Sequence, residues 1–272
     1  GVYQPSLQER QAISKVVLAL DSIPLAIELA AAQVGRMSAV ALSQQLAARL
    51  DLLSAAESDR PKRHHTLRAA IEWSWALLDP SEQAALAQAS VFRGGFTLEA
   101  AECIIVIDDD DAPWTMDLLE ALSDKSFLNV QSPESDGNEL RFTIFESIRL
   151  FAAETLSRQY DADACAQRHA HYYADEALRL VDGIYGQDGI QIRQQLSREH
   201  QNLQAVVSLP NAPPEQRGHC VLAQTALLKL AGPLRARGPL LDSIAEQLDA
   251  MSPALRAKLL RAKAEHQADS GE

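Results

Sequence analysis

Aromatic residues and cysteines are scarce in this sequence, and both shortages exclude classes of protein. Aromatic residues make up 5% of the 272 residues, although hydrophobic residues as a whole make up 47%. Because alanine and leucine supply most of that apolar content, the composition favours packed helices over a β-sandwich. The three cysteines are Cys103, Cys165 and Cys220, which lie far apart without a C-x-x-C pair. They predict neither a disulfide framework nor a zinc ribbon, and a reducing cytoplasm is the expected location.

A long hydrophobic run is also missing. The most apolar stretch, residues 24–34, is interrupted by Glu28 and is far shorter than the ~20 residues that span a bilayer. No signal-peptide pattern opens the chain. We therefore expect no membrane partner. The chain starts without a methionine inside a helical pattern and stops where a helical repeat would turn, so we expect a segment of a longer protein.

Cations are scarce in the middle of the chain. Residues 66–145 contain 15 Asp and Glu against four Lys and Arg, which gives this region a net charge of −11 out of −12 for the whole chain. A DNA-binding surface needs cations that displace phosphate counterions. The third helix predicted in this region, residues 97–105, carries Glu99 and Glu102 and no cation. We expect no direct DNA binding by this chain.

Motifs for catalysis are absent from the sequence. There is no G-x-S-x-G elbow, no cysteine or serine in a recognisable nucleophile setting, and no G-x-x-x-x-G-K-[ST] phosphate-binding loop. We therefore expect that the chain is not an enzyme by itself.

Residues 64–96 are the stretch around which the rest of the chain is organised. They predict two helices separated by a break at Asp79-Pro80. Asp79 is an N-cap acceptor, Pro80 occupies the first helical position and Glu82 completes a capping box. The second helix ends at the Gly94-Gly95 pair, and Thr97 can cap a third. Three short helices in this order are typical of a helix-turn-helix core.

An amphipathic helix with Leu118, Leu119 and Leu122, followed by a hairpin, is predicted after this core. Residues 127–130 have the pattern of a strand, residues 132–138 that of a turn, and residues 140–145 that of a return strand. In the return strand Leu140, Phe142 and Ile144 alternate with Arg141, Thr143 and Phe145. An amphipathic helix follows over residues 146–158. Helices plus a hairpin predict a winged helix.

The flanking segments predict further helices. Before the core, helices are expected within residues 1–20, 25–34 and 37–53, followed by a polar linker over residues 54–62. After the hairpin, helices are expected over residues 162–181, 190–209, 215–230, 240–251 and 253–268, which suggests the start of an α-solenoid. The predicted fold is mainly α: a helical bundle over residues 1–62, a winged-helix domain over 63–159 and a TPR-like or solenoid segment over 160–272.

Four stretches resemble the STAND signal-transduction ATPases with an NB-ARC module, in particular bacterial regulators that carry helical repeats. DSIPLAIELAAA, residues 21–32, resembles the G-x-P motif of the helical ARC subdomain. TLRAAIEWSWALLDPSEQAALAQASVFRGGFTLEAA (66–101), LLEALSDKSFLNV (118–130) and RFTIFESIRLFAA (141–153) resemble the winged-helix subdomain. The stretches occur in the family's order, and the resemblance covers about residues 6–204.

The resemblance implies a regulatory segment that couples the nucleotide state of an NTPase domain, absent from this chain, to C-terminal sensor repeats. No cofactor is expected in the fragment, whereas ADP or ATP with Mg²⁺ is expected in the longer protein. The implied partners are that NTPase domain, the helical repeats and a protein or small-molecule inducer. The alternative that remains is a winged-helix DNA-binding transcription factor.

Two residues acquire a cofactor-binding role only through the resemblance. Pro24 matches the proline that contacts adenine, although it is also an ordinary helix-start proline. Ser22 replaces the glycine of that motif. Phe145, within Ile144-Phe145-Glu146, stands where the family has the histidine of its M-H-D motif. A phenyl ring has no donor for a phosphate, so packing against a neighbouring subdomain is the favoured role for Phe145.

Several other groups of residues can be interpreted either as a functional site or as ordinary structural residues. Cys165, His169 and His171 form C-x₃-H-x-H on one helix, yet only two can converge and no fourth ligand is apparent, so a metal site is disfavoured.

Residues 108–111 are four aspartates without the spacing of a calcium loop, which favours a solvated loop. Trp73 and Trp75 flank a core stripe and are expected to pack against a neighbouring subdomain, with stacking on a ligand as the alternative. The basic cluster at residues 60–65 is expected to be a solvated linker, with a phosphate or acidic partner as the alternative.

Overall fold

The computed structural model describes residues 6–20, 22–34, 37–54, 62–109, 111–131 and 140–270, and the side chains of 47–54, 62–65, 231 and 270 are not among those described. The chain forms two compact units. Unit 1 comprises Gly1–Ser90 with Val106–Tyr160, and unit 2 comprises Val91–Ile105 with Asp161–Glu272. The predicted division at residues 62 and 159 stays a prediction.

The described residues are mainly helical and contain the predicted hairpin, as the sequence predicts, and a further short strand, β1, which the sequence analysis did not predict. In chain order the elements are α1 (Leu7–Ala19), α2 (Pro24–Ala31), α3 (Ala39–Ser54), α4 (Lys62–Trp75), α5 (Pro80–Ala89), β1 (Phe96–Thr97), α6 (Leu98–Ile104), α7 (Thr115–Asp124), β2 (Asn129–Gln131), β3 (Arg141–Thr143), α8 (Glu146–Gln159), α9 (Ala162–Gly183), α10 (Gly189–Ser208), α11 (Pro214–Ala231), α12 (Arg237–Asp242) and α13 (Pro253–Ser270). Two 3₁₀ segments flank α12, at Leu234–Ala236 and Ala245–Ala250.

Local capping explains where several helices begin. The capping box predicted for α5 is confirmed, because the Asp79 side chain accepts from the Glu82 backbone N–H and the Glu82 carboxylate accepts from that of Asp79. Thr97 caps α6 by accepting from the Ala100 N–H at 3.2 Å. Gly94 and Gly95 lie at φ values of 72° and 101°, which glycine adopts without steric cost.

Unit 1 has a core that joins α1, α2, α3 and α4. Its buried residues are Val16, Leu20, Ala26, Ala30, Leu42, Leu46, Ala70 and Trp73. Trp75 is also buried, and its ring lies edge-on to that of Phe151 on α8, with 5.3 Å between centroids. Both tryptophans therefore pack inside unit 1, where they join α4 to the neighbouring helices.

The predicted hairpin is present in unit 1 but its strands are short. β2 and β3 pair antiparallel with Val130 opposite Phe142, and Phe142 is buried while Leu140 and Val130 are exposed. Of Leu140, Phe142 and Ile144, which were expected on one apolar face of the strand, only Phe142 is therefore buried. The predicted turn at 132–138 and residues 55–61 of the predicted linker lie outside the described residues.

Unit 2 is built from helices that pack in succession. α9, α10 and α11 contact one another, α6 packs against α9, and α11 also contacts α12 and α13. The single helix predicted over residues 240–251 is wrong, since α12 ends at Asp242 and a 3₁₀ segment follows. The Ser243 hydroxyl donates to the Leu240 carbonyl at 2.6 Å and so competes with the backbone bond that would continue the helix. Among the described residues, none of the helices has the length and hydropathy needed to cross a bilayer.

Candidate functional site

Pro24, the residue matched to an adenine contact, occupies the first position of α2 and is exposed. The chain enters this helix through a left-handed residue, because Ser22 has φ of 54°. The Ser22 N–H donates to the Val17 carbonyl at 3.1 Å, and the Ile23 N–H donates to that of Leu20 at 3.0 Å. The end of α1 therefore turns directly into α2, and the proline ring is presented at the surface of unit 1.

Phe145 is the residue that immediately precedes α8. Its backbone is extended, at φ −60° and ψ 137°, and its carbonyl accepts the Arg149 N–H at 2.9 Å. Phe145 is 38% exposed and is one of the exposed large hydrophobic residues of unit 1. The Arg149 guanidinium, one turn further along α8, is buried, bonds to Glu146 and donates to the Ser90 carbonyl at 3.4 Å.

Helix α4 connects the elements that carry these two residues, since it packs against both α2 and α8. Arg68 on α4 forms a two-pronged contact with Glu154 on α8, at 2.8 and 3.4 Å, and its Nε bonds to Glu72 at 2.9 Å. The same guanidinium lies 5.6 Å from the centre of the Phe151 ring. Pro24 and Phe145 thus lie in one unit, at the starts of two helices that share α4 as a neighbour.

The chemistry of these two positions suits a base more than a phosphate. Both side chains are at least partly exposed and apolar, and neither carries a hydrogen-bond donor. A purine ring could pack on such surfaces, whereas phosphate oxygens need N–H or cationic groups from elsewhere. A cofactor-binding role for Pro24 or Phe145 stays a prediction.

The C-x₃-H-x-H group does not assemble a metal site. Cys165 and His169 are buried in unit 2, whereas the side chain of His171 is 71% exposed. Burial raises the pKa of the Cys165 thiol to about 11, which keeps it protonated near neutral pH and makes it a poor ligand. Across the described parts of the chain, no three His, Cys, Asp or Glu side chains are grouped to hold a metal ion.

His169 instead belongs to a buried polar network around Asn202 that sequence reasoning missed. The Asn202 Oδ1 accepts the Arg93 N–H at 2.7 Å, and its Nδ2 donates to the Gly95 carbonyl at 2.8 Å and to Glu199 at 3.0 Å. The only local signal was that Glu199 and Asn202 share the apolar stripe of α10 with Leu203 and Val206. The network fixes the segment before β1 against α10.

The acidic region, residues 66–145, exposes carboxylates and buries one of its four cations. Lys125 is 5% exposed and forms an ion pair with the buried Glu82. Glu99 and Glu102 are exposed on α6, whose other face is buried. Asp108, Asp109 and Asp111 are exposed, and the side chains of the basic cluster at residues 60–65 lie outside the described set.

No protein-family model matches the chain. Over 169 residues it is 37% identical to proteins of Mycobacterium bovis and Mycobacterium tuberculosis that are named "Putative HTH-type transcriptional regulator", and the match covers 62% of this chain and 19% of each regulator. Another Mycobacterium tuberculosis protein, whose name gives no function, is 34% identical over 158 residues, or 58% of this chain and 39% of that protein. The chain thus spans well under half the length of these curated relatives.

Proposed function

We propose that this chain is a regulatory segment of a transcriptional regulator. The observation that carries the proposal is the 37% identity, over 62% of the chain, to proteins named as regulators of that kind. The described fold, two mainly helical units with a short hairpin, is consistent with a regulatory segment.

The finer proposal is a nucleotide-switched regulator of the STAND type in the cytoplasm. In it, an NTPase domain outside these 272 residues holds ADP or ATP with Mg²⁺, and units 1 and 2 transmit the nucleotide state to helical repeats. Two local features support this assignment. Ser22 is left-handed where the family's motif has glycine, and Pro24 then starts α2 with an exposed ring. Subdomain reorientation biased by ligand would be the mechanism, with no catalysis by this chain.

Calorimetry with ADP tests this proposal. The 272-residue chain is expected to give no binding signal at sub-millimolar ADP, because its sequence has no phosphate-binding loop. The protein encoded by the complete reading frame is expected to bind. Tight binding by the chain alone, or none by the complete protein, would overturn the nucleotide-switch assignment.

The adenine contact is tested in the complete protein with a matched pair of prolines. Pro24→Ala is expected to weaken ADP binding, whereas Pro253→Ala is expected to leave it unchanged. Both prolines are exposed and both start a helix, α2 and α13 respectively. Equal effects of the two substitutions would show that Pro24 is only a helix-start residue.

Phe145→His tests the second position in the same protein. An imidazole would add a donor where the phenyl ring has none, so ADP release should slow relative to the wild type and to Phe145→Leu if position 145 lies beside the phosphates. Unchanged release would mean that Phe145 does not lie beside the phosphates.

A DNA-binding transcription factor is the second candidate, and the name of the relatives favours it. The match covers 19% of those regulators, so their name does not locate a helix-turn-helix in the shared part. The charge of the exposed α6 face opposes DNA binding, since it carries Glu99 and Glu102. A mobility-shift assay with random duplex at low salt is expected to show no shift. A shift that Arg141→Ala abolishes would favour the DNA-binding candidate instead.

A further inference from the structure

Trp114 is the one exposed tryptophan of the three in the chain, all of which are described. Its side chain is 82% exposed, whereas those of Trp73 and Trp75 are 4% and 8% exposed. Tryptophan is usually well buried on average, and where it is exposed on a free protein it is among the residues most enriched at the centres of interfaces. Trp114 therefore marks a candidate docking point on unit 1.

The backbone around Trp114 is held in place although its side chain is free. Its carbonyl accepts the Leu118 N–H at 3.1 Å, which makes it the residue preceding α7. In the preceding loop, Asp109 accepts the Asp111 N–H through its side chain and the Ala112 N–H through its carbonyl, both at 3.1 Å. The backbone of Trp114 is thus fixed at the start of α7 and would need little ordering when the indole binds.

The exposed face of α7 beside Trp114 carries only carboxylates among its charged groups. Asp117, Glu120 and Asp124 are exposed at helical spacing, while Leu118, Leu119 and Leu122 are buried on the opposite face. In the described part of the chain, no lysine or arginine forms an ion pair with any of these three carboxylates. Trp114 with Asp117, Glu120 and Asp124 is called the α7 face below.

The α4–α8 contact shows what such a combination binds within this molecule. There, Arg68 lies over the ring of Phe151 and bonds to the carboxylates of Glu72 and Glu154. A guanidinium can stack on an aromatic ring and bond to carboxylates at once, which a lysine ammonium does less well. The α7 face presents the same two acceptor types, an aromatic ring and carboxylates, without a cation.

We propose that the α7 face binds an arginine-containing segment of a partner protein, with a guanidinium stacked on Trp114 and paired with Asp117. Charge complementarity selects this occupant. Nucleic acid and anionic membranes are repelled by the carboxylates, and a second copy of a chain with net charge −12 is repelled as a whole. The binding would be transient and sensitive to salt, because the surface is open to solvent.

Tryptophan fluorescence of the 272-residue chain tests the proposal directly. Acrylamide quenching should report mainly Trp114, since the other two tryptophans are buried. A peptide of nine arginines is expected to shield Trp114 from acrylamide, a peptide of nine lysines to do so less, and a peptide of nine glutamates not at all. Equal effects of the arginine and lysine peptides would contradict the proposal that a guanidinium stacks on Trp114.

Variants then separate a specific contact from general attraction to an acidic protein. Trp114→Ala is expected to weaken binding of a labelled nine-arginine peptide about two- to fivefold, the size of an exposed cation–π contact. Tyr185→Ala, which removes an aromatic residue that is 70% exposed in unit 2, is the matched control and is expected to change nothing. Because Trp114 is exposed, its replacement should leave the fold intact, and circular dichroism checks this.

A second pair of variants tests the carboxylates. Asp117→Asn with Asp124→Asn should weaken binding and reduce its salt dependence more than Asp163→Asn with Asp188→Asn, which removes the same charge from exposed positions of unit 2. If the two double variants weaken binding equally, or if Trp114→Ala binds like the wild type, the α7 face is not the site.

Discussion

His169 and Asn202 face each other inside unit 2, with the imidazole Nε2 3.5 Å from the side-chain Oδ1 of the asparagine. That oxygen already accepts the Arg93 N–H, so Asn202 is the acceptor and the neutral imidazole carries its proton on Nε2. The ring of His169 is enclosed by Phe92 and Tyr173, whose centroids lie 5.7 and 4.7 Å away. Burial lowers the pKa of His169 to about 4 and outweighs the opposing effect of the Asn202 contact.

The burial of His169 predicts that the stability of the fold decreases as the pH is lowered through a defined window. The unfolded chain protonates its histidine near pH 6.5, and folded His169 does so near pH 4. The stabilising contribution is therefore complete above pH 6.5 and is lost as the pH falls towards 4. Linkage gives a loss of about 2 kcal/mol in the free energy of unfolding between pH 8 and pH 5. Denaturant titrations at several pH values measure it.

His169→Gln should remove most of this pH dependence, at the cost of a lower stability at pH 8. His171→Gln is the control, because that side chain is 71% exposed and its replacement should leave the slope unchanged. A slope that survives in His169→Gln would assign the pH dependence to other groups.

The buried ion pair of Lys125 and Glu82 should be costly to break from one side. Lys125→Met leaves a buried carboxylate without its partner, and a loss of about 3 kcal/mol in the free energy of unfolding is expected. Adding Glu82→Gln should restore much of it, since glutamine is neutral and can keep the capping box. Lys229→Met, in a pair with Glu265 whose side chains are 36% and 35% exposed, should cost less than about 1 kcal/mol. Equal losses in the free energy of unfolding for Lys125→Met and Lys229→Met would contradict the expectation that the buried pair is costlier to break than the half-exposed one.

Ser22→Gly should stabilise unit 1 by roughly 0.5–1 kcal/mol, because Ser22 has φ of 54° and glycine adopts such a backbone without the side-chain clash. Ser43→Gly, in the interior of α3, is the control, which should destabilise unit 1 by roughly 0.5 kcal/mol. Thermal unfolding of both variants checks the pair. A destabilised Ser22→Gly would mean that the serine side chain itself is needed at this turn.

Phe142 and Phe145 lie three residues apart and should respond differently to truncation. Phe142→Ala is expected to cost about 3–5 kcal/mol, because its ring is 1% exposed. Phe145→Ala is expected to cost roughly 1 kcal/mol or less, since its ring is 38% exposed. Chemical denaturation distinguishes the two. A large loss at Phe145 would show that the ring is a core residue after all.

Much of the secondary structure could be predicted because its signals are local. The capping box at Asp79 and Glu82, the proline at the start of α5 and the glycines after it act over a few residues, and all are found as expected. The split of the helix predicted over residues 240–251 was missed, because the periodicity of this stretch is helical throughout. The bond from the Ser243 hydroxyl to the Leu240 carbonyl, which competes with the backbone bond of a continuing helix, leaves no trace in that periodicity. The roles of Pro24 and Phe145 came from a resemblance, and they stay predictions.

The sequence by itself determined the helical character, the caps, the hairpin and the acidic balance of this protein, since these depend on composition and on spacing within one or two turns. Tertiary structure decided which polar groups lose water and with whom they pair. Asn202 bonds to Gly95 across 107 positions of the chain, and Lys125 bonds to Glu82 across 43. No spacing rule connects residues so far apart, because desolvation and pairing depend on which helix faces meet in the folded chain. The same reason explains why one tryptophan of three is left at the surface.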